Sequence, residues 1–158
     1  MIEEIGADAT RVWMVQKSHD THLDFDLELA KKKSNENPVY YLQYAHARIC
    51  SIQKKNEPLK HDPTYSLHRA LDKAERNLLI GNIQFHDVVW RASQTNQLHP
   101  LITYGLELAK QFHAFYQHCP IKHADPMDQQ LRYQIVDQTK QTLRELFKIL
   151  GISAPEHM

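Results

Sequence analysis

Tyr41, Tyr44 and Arg48 are the side chains whose types and spacing best suit binding chemistry in this chain of 158 residues. At about 100° per residue, a helix puts them on one side together with Ala45 and Ile52. Aromatic rings stack on unpaired bases, a guanidinium grips phosphate or base edges, and phenolic hydroxyls add hydrogen bonds. The same spacing also suits plain packing. Half-buried tyrosines are common in helical bundles, and an arginine stem can cover apolar surface. Spacing alone leans towards packing.

Catalytic chemistry is missing from the pattern. The chain has no phosphate-cradling glycine loop, no nucleophilic Ser or Cys with a recognisable partner, and no His-Glu-x-x-His. No pair of carboxylates stands out by its spacing, so no catalytic residue is assigned. Cys50 and Cys119 are isolated, which points to free thiols in a reducing compartment. His19 and His22 lack a third ligand at suitable spacing, so no metal residue is assigned either. Binding is the expected activity.

The elements that must position these residues read as helices throughout. Gly is scarce at 4 residues, and no segment alternates as a strand. Gly6-Ala7-Asp8-Ala9 opens a helix running to about Lys17. Asp24 is the expected cap of a short helix from Phe25 to Lys33, with Lys31-Lys32-Lys33 at the negative end of its dipole. Asn37 and Pro38 form a cap-plus-proline start for the helix carrying Tyr41, Tyr44 and Arg48, which should end near Lys55. Leu42, His46 and Ile49 supply its core stripe, and His46 reads as a hydrogen-bonded structural histidine. A loop around residues 56 to 65 follows.

The next helix carries Leu67, Leu71, Ala74 and Leu78 and should break at Gly81-Asn82. A shorter one with Ile83, Val88, Val89 and Ala92 should end at Thr95-Asn96. From Leu98 to Cys119, the stripe Leu101, Gly105, Leu108, Phe112 and Phe115 has helical four-three spacing. Asp125-Pro126 starts the last helix, which buries Val136, Thr139, Leu143, Leu146 and Leu150. Gly151 closes it in a left-handed conformation, with Ile152 packing back and Pro155 preventing renewal. The expected fold is an all-α helical bundle, one domain spanning residues 1–158.

Composition sets outer limits. Lys plus Arg and Asp plus Glu balance at 19 each, which argues against sequence-blind nucleic-acid binding but allows a local patch. No apolar run approaches the ~20 residues needed to cross a bilayer, and no secretory signal opens the chain. A cytoplasmic address and no membrane partner are expected.

Several segments carry a resemblance. Asn37-Pro38-Val39-Tyr40-Tyr41-Leu42-Gln43-Tyr44-Ala45-His46-Ala47-Arg48-Ile49 resembles the signature helix of arginyl-tRNA synthetases. Gly6-Ala7-Asp8-Ala9-Thr10-Arg11 is similar to the element that names that family's Asp-Ala-Leu-Arg anticodon-binding domain, with Thr10 in place of the usual Leu. His22 to Leu27, the aromatic run Phe112 to Cys119, and Leu150 to Met158 follow the family pattern in order, with His157 where Arg is more usual.

The resemblance implies the anticodon-binding bundle of a class I synthetase. It places Tyr41, Tyr44 and Arg48 near the anticodon loop, and Tyr116 and Met158 at the pocket around the middle base. It implies that tRNA-Arg is the partner, and that the full enzyme attaches arginine to that tRNA using ATP with Mg. The His-Ile-Gly-His and Lys-Met-Ser-Lys-Ser-like signatures of that chemistry are not in this chain. A non-catalytic recognition domain with no cofactor of its own is therefore expected. Residues 1–20 would form the junction with a separate catalytic domain, and an apolar patch around Trp13 would promote weak self-association. Two rival readings are a helical protein-interaction module derived from a synthetase, and the anticodon domain of another synthetase.

Overall fold

A computed structural model describes residues 2–18, 20–22, 24–56 and 69–158. Among them are eight helices and no strand: α1 (Ile2–Ile5), α2 (Ala7–Val15), α3 (Leu27–Lys31), α4 (Pro38–Lys55), α5 (Lys73–Ile83), α6 (Phe85–Thr95), α7 (His99–His118) and α8 (Pro126–Leu150). The all-α expectation holds. None of these helices is long and apolar enough to cross a membrane. The loop expected at residues 56 to 65, Leu67 and His19 fall wholly or largely outside the described residues.

Two of the three longest helices, α4 and α8, begin at side-chain caps. The Asn37 side chain accepts from the Val39 N–H at 3.1 Å and also donates to the Ala30 and Lys32 carbonyls, tying the start of α4 to the end of α3. The Asp125 carboxylate caps α8 through the Met127 N–H, with Pro126 in the first turn. Gly151 closes α8 with φ at 66°, and the Ile152 N–H returns to the Phe147 carbonyl. That is the left-handed ending expected from Gly-Ile.

Four local expectations are corrected. Asp26, not Asp24, caps α3, accepting from the Leu29 N–H, while Asp24 lies beside the exposed His22. Gly81 and Asn82 sit inside α5 rather than breaking it. A Cβ on Gly81 would run into the Gln111 side chain and lie 3.1 Å from Leu108, and the Tyr104 hydroxyl donates to the Gly81 carbonyl. Glycine there allows close helix contact. Ile83 ends α5 and is 72% exposed instead of joining the apolar face of α6. Leu71 precedes α5, whose start is set by the Asp72–Glu75 capping box.

Trp13 itself is buried, so the apolar surface expected around it falls instead on its neighbour Met14, which lines a cleft with Val15, Leu98 and Ile149. Ala9, Val12 and Trp13 form the buried stripe of α2, which packs on α4 and α7, and the Trp13 ring meets Phe25 at 5.3 Å. The exposed large apolar side chain of α2 is Met14, at 50%.

The core lies where α4, α7 and α8 meet. A Cβ on Gly105 would fall 2.6 Å from Leu146 Cδ2 and 3.0 Å from Leu42 Cδ2, so glycine lets the three helices close on one another. Leu42, Ile49, Leu108, Phe112, Phe115, Ile135, Leu143 and Leu146 are fully buried around this junction.

A polar anchor holds the other end of the bundle. Glu75 is completely buried, and its oxygens accept from Arg69 and from Arg132 Nε at 2.8 Å. Arg132 also donates to the Pro120 carbonyl, and Arg69 reaches Asp128. Ligand atoms of Asp72, Glu75 and Cys119 lie within 4.8 Å of one another, but the Glu75 oxygens are already engaged by guanidinium groups. Burial raises the Glu75 pKa, and the hydrogen bonds from Arg69 and Arg132 outweigh it, holding the carboxyl at about 2 against an ordinary 4.5.

Glu75→Gln is expected to cost about 3 kcal/mol at neutral pH, because Arg132 loses its one buried carboxylate partner and keeps only the longer pairs to Asp72 and Asp128. The depressed pKa means the ionised form is favoured in the folded state. Its stabilisation is therefore full above pH 4.5 and declines as pH falls towards 2. Urea denaturation of both proteins across that range should show the gap narrowing as acid is added.

Candidate nucleic-acid interface

The start of α4, fixed by Asn37 and Pro38, sets the rotation of the helix and so the direction of its tyrosines. Leu42, Ala45, His46 and Ile49 face inward, leaving Tyr40, Tyr41, Tyr44 and Arg48 half-buried at the edge of the core. The α7 stripe meets them across the Gly105 junction. His113 lies against both tyrosines, its ring 5.3 Å from Tyr41 and 5.7 Å from Tyr44, the latter nearly parallel at 27°. Tyr40 continues the series, stacked on Tyr44 at 6.1 Å and 8°. The result is a ladder of rings from Tyr40 through Tyr44 to His113.

Arg48 and Tyr116 form a second unit beside it. The guanidinium carbon sits 5.0 Å from the Tyr116 ring centroid, and Tyr116 also stacks on Phe112. Among the described residues, the one side-chain hydrogen bond of Arg48 is a long 3.5 Å contact to the Tyr116 hydroxyl. A guanidinium carries five N–H donors, so most of this fork is open to an acceptor. The hydroxyls of Tyr40, Tyr41 and Tyr44 likewise have no hydrogen bond among the described residues. Burial, with Glu107 adding to it, raises the Tyr41 pKa and keeps the phenol neutral.

Met158 stands at the opposite end of the ladder. It lines a cleft of about 680 Å³ with Tyr40, Gln43, Lys31 and the start of α2. Of the five residues singled out from sequence, Tyr41 and Tyr44 are joined through His113, and Arg48 pairs with Tyr116. Met158 is linked to the group only through the cleft that Tyr40 also lines. The sequence reading missed His113 and Tyr40. Tyr40 lies one helical turn before Tyr44, and His113 lies three residues before Tyr116, so both faces could have been extended by helical periodicity.

The last residues are held onto α4 by polar contacts. His46 Nδ1 is 2.9 Å from the Pro155 carbonyl, and the ring packs against Phe147. The structural role expected of His46 is thus observed. Gln43 donates to Asp8 and to Ser153, Arg11 donates to the Gly151 carbonyl, and Lys54 pairs with Glu156.

A helical bundle with half-buried rings and a guanidinium with unused donors along one helix pair suits an anticodon-binding domain. Residues 42–158 match the family model described as the DALR anticodon binding domain, and the chain belongs to that family. Its relatives include proteins named arginine–tRNA ligase. The one from Pelodictyon phaeoclathratiforme is 42% identical over 164 residues, covering 100% of this chain and 30% of that protein. The one from Carboxydothermus hydrogenoformans is 42% identical over 162 residues, with 100% and 29% covered. This chain thus spans about 30% of the length of the curated relatives it matches. The solved arginyl-tRNA synthetase of Thermus thermophilus superposes with a TM-score of 0.85 at 29% identity, over 98% of this chain and 27% of that one.

The pKa values of His46 and His113 are both lowered from 6.5, chiefly by burial; Arg48 adds to the effect at His113. A lowered histidine pKa means that the unfolded chain binds protons first. The stabilisation from burying these neutral rings is therefore complete above pH 6.5 and declines as pH falls through the folded values. Imidazole ¹⁵N spectra should show both rings less than half protonated at pH 6.5. A half-protonated His113 at that pH would contradict the packing described.

Proposed function

We propose that this chain recognises the anticodon of tRNA-Arg as part of an arginine–tRNA ligase. The observation that carries this reading is the ring ladder Tyr40–Tyr44–His113, set beside an Arg48 fork with unused donors. Splayed anticodon bases stack on or between the rings, while Arg48 takes phosphate or a base edge. Tyr41, Tyr44, Arg48, Tyr116 and Met158 are the contact residues, with Tyr40 and His113 added by the geometry.

Stacking is the main source of affinity, at about 1–3 kcal/mol per base. Discrimination comes from polar edges. A wrong base leaves a buried donor or acceptor unpaired, at about 1–3 kcal/mol each. The formal charge balance of the chain fits this division, since charge attraction alone is weak and non-selective here.

Aminoacylation belongs to the remainder of the ligase, which would supply the site for ATP with Mg and for arginine. This part needs no cofactor of its own. That remainder and tRNA-Arg are its partners, and the cytoplasm is its address. Binding energy gained at the anticodon helps hold the acceptor end in place for reaction.

Fluorescence anisotropy of a labelled tRNA-Arg anticodon stem-loop tests the reading, alongside a loop with the middle base changed, at two salt concentrations. The native loop should bind more tightly, and higher salt should weaken both. Tyr44→Ala and Tyr116→Ala should each weaken the native loop by roughly tenfold or more, the equivalent of one lost stack, with the melting transition retained. Equal affinity for both loops would reduce the function to generic RNA binding. No binding to either would sink it.

A further inference from the structure

Three of the terminal segment's fastening bonds meet around one atom. Asp8 Oδ2, in the first turn of α2, accepts from Gln43 Nε2 at 2.9 Å, from the Ser153 N–H at 3.1 Å and from the Ser153 hydroxyl. Those donors come from α4 and from the segment following α8, so one oxygen joins three parts of the chain. Gln43 adds its own bond to the Ser153 hydroxyl at 3.0 Å. One turn along α2, Arg11 Nη1 donates to the Gly151 carbonyl at 2.8 Å.

Beyond Ser153 the grip passes to α4. His46 holds the Pro155 carbonyl, and Lys54 lies 3.4 Å from Glu156 and 2.9 Å from His157. These later contacts differ in strength. The Lys54 pair is exposed, and such pairs hold weakly against solvent. The segment has no regular secondary structure after Gly151, so its path is set by side chains rather than by a backbone ladder.

We propose that Asp8 is a positioning residue: it fixes the course of residues 153–158 along α4 and thereby presents Met158 beside Tyr40. Asp8 touches no RNA in this scheme. It acts through Ser153 and Gln43. The consequence for recognition rests on the anticodon reading given above, whereas the ordering of the segment does not.

The test compares the native chain with Asp8→Ala and Asp8→Asn. Backbone ¹⁵N heteronuclear NOEs over residues 152–158 report order. Thermal melts report the fold, and anisotropy with the native and middle-base-changed loops reports recognition. Asp8→Ala should keep a cooperative melt while the NOEs of residues 153–158 fall towards those of a free chain end. The preference for the native loop should drop about tenfold with the salt dependence unchanged. Asp8→Asn keeps an acceptor oxygen of the same shape and should restore most of both readouts, which a general loss of stability would not predict. Unchanged NOEs in Asp8→Ala overturn the proposal. Lowered NOEs with an unchanged loop preference support the positioning role and overturn the part assigned to Met158 in anticodon recognition.

Discussion

The absence of a side chain at Gly105 allows α4, α7 and α8 to meet closely. Leu42 and Leu146 already occupy the space a Cβ would need, and both are fully buried. Interiors packed at crystal density have little room to yield. Everything at the candidate interface follows from this closeness. His113 lies eight residues further along α7, about 12 Å at 1.5 Å per residue, and reaches Tyr41 and Tyr44 because the two helices are held together at Gly105 and remain close along that length. A wider crossing would leave two separate helix faces in place of a ladder of rings.

The ladder is also a compromise between core and surface. Its rings are half-buried, with one side packed and the tyrosine hydroxyls unpartnered among the described residues. That partial burial raises the Tyr41 pKa and lowers that of His113, favouring the neutral form of each. A neutral aromatic surface suits stacking, which needs a π face and dry contact more than charge. The charge is supplied separately by Arg48, whose guanidinium rests on Tyr116 and keeps its donors at the rim.

Two polar assemblies secure opposite ends of the molecule by different physics. In the Glu75–Arg132–Arg69 group, Glu75 and Arg132 are buried, Arg69 is partly exposed, and the ion pairs join the ends of α5, α7 and α8. Removing Glu75 there leaves Arg132 with only its longer pairs to Asp72 and Asp128. Around Asp8, Ser153 and Gln43 the bonds are exposed or half-buried, so each contributes modestly. The first assembly suits a fixed framework. The second orders a short segment without making the fold depend on it.

Much of the scaffold was legible in the sequence because its signals are local. Asn37-Pro38, Asp125-Pro126 and Gly151-Ile152 act within a few residues of themselves, and they mark the ends of α4 and α8 as observed. Helical periodicity likewise identified the buried stripe of α7 and the shared face of Tyr41, Tyr44 and Arg48. The errors arose where a residue answers to a distant neighbour. Gly81 looks like a breaker until Gln111 and Tyr104 are seen beside it, and Trp13 looks exposed until Phe25 covers it. The pairing of His113 with Tyr44, and of Asp8 with Ser153 across 145 residues, is written in no local pattern. Periodicity fixes which residues share a face; only the packed structure decides which faces meet, because that choice depends on the fit of whole helices around a junction such as Gly105.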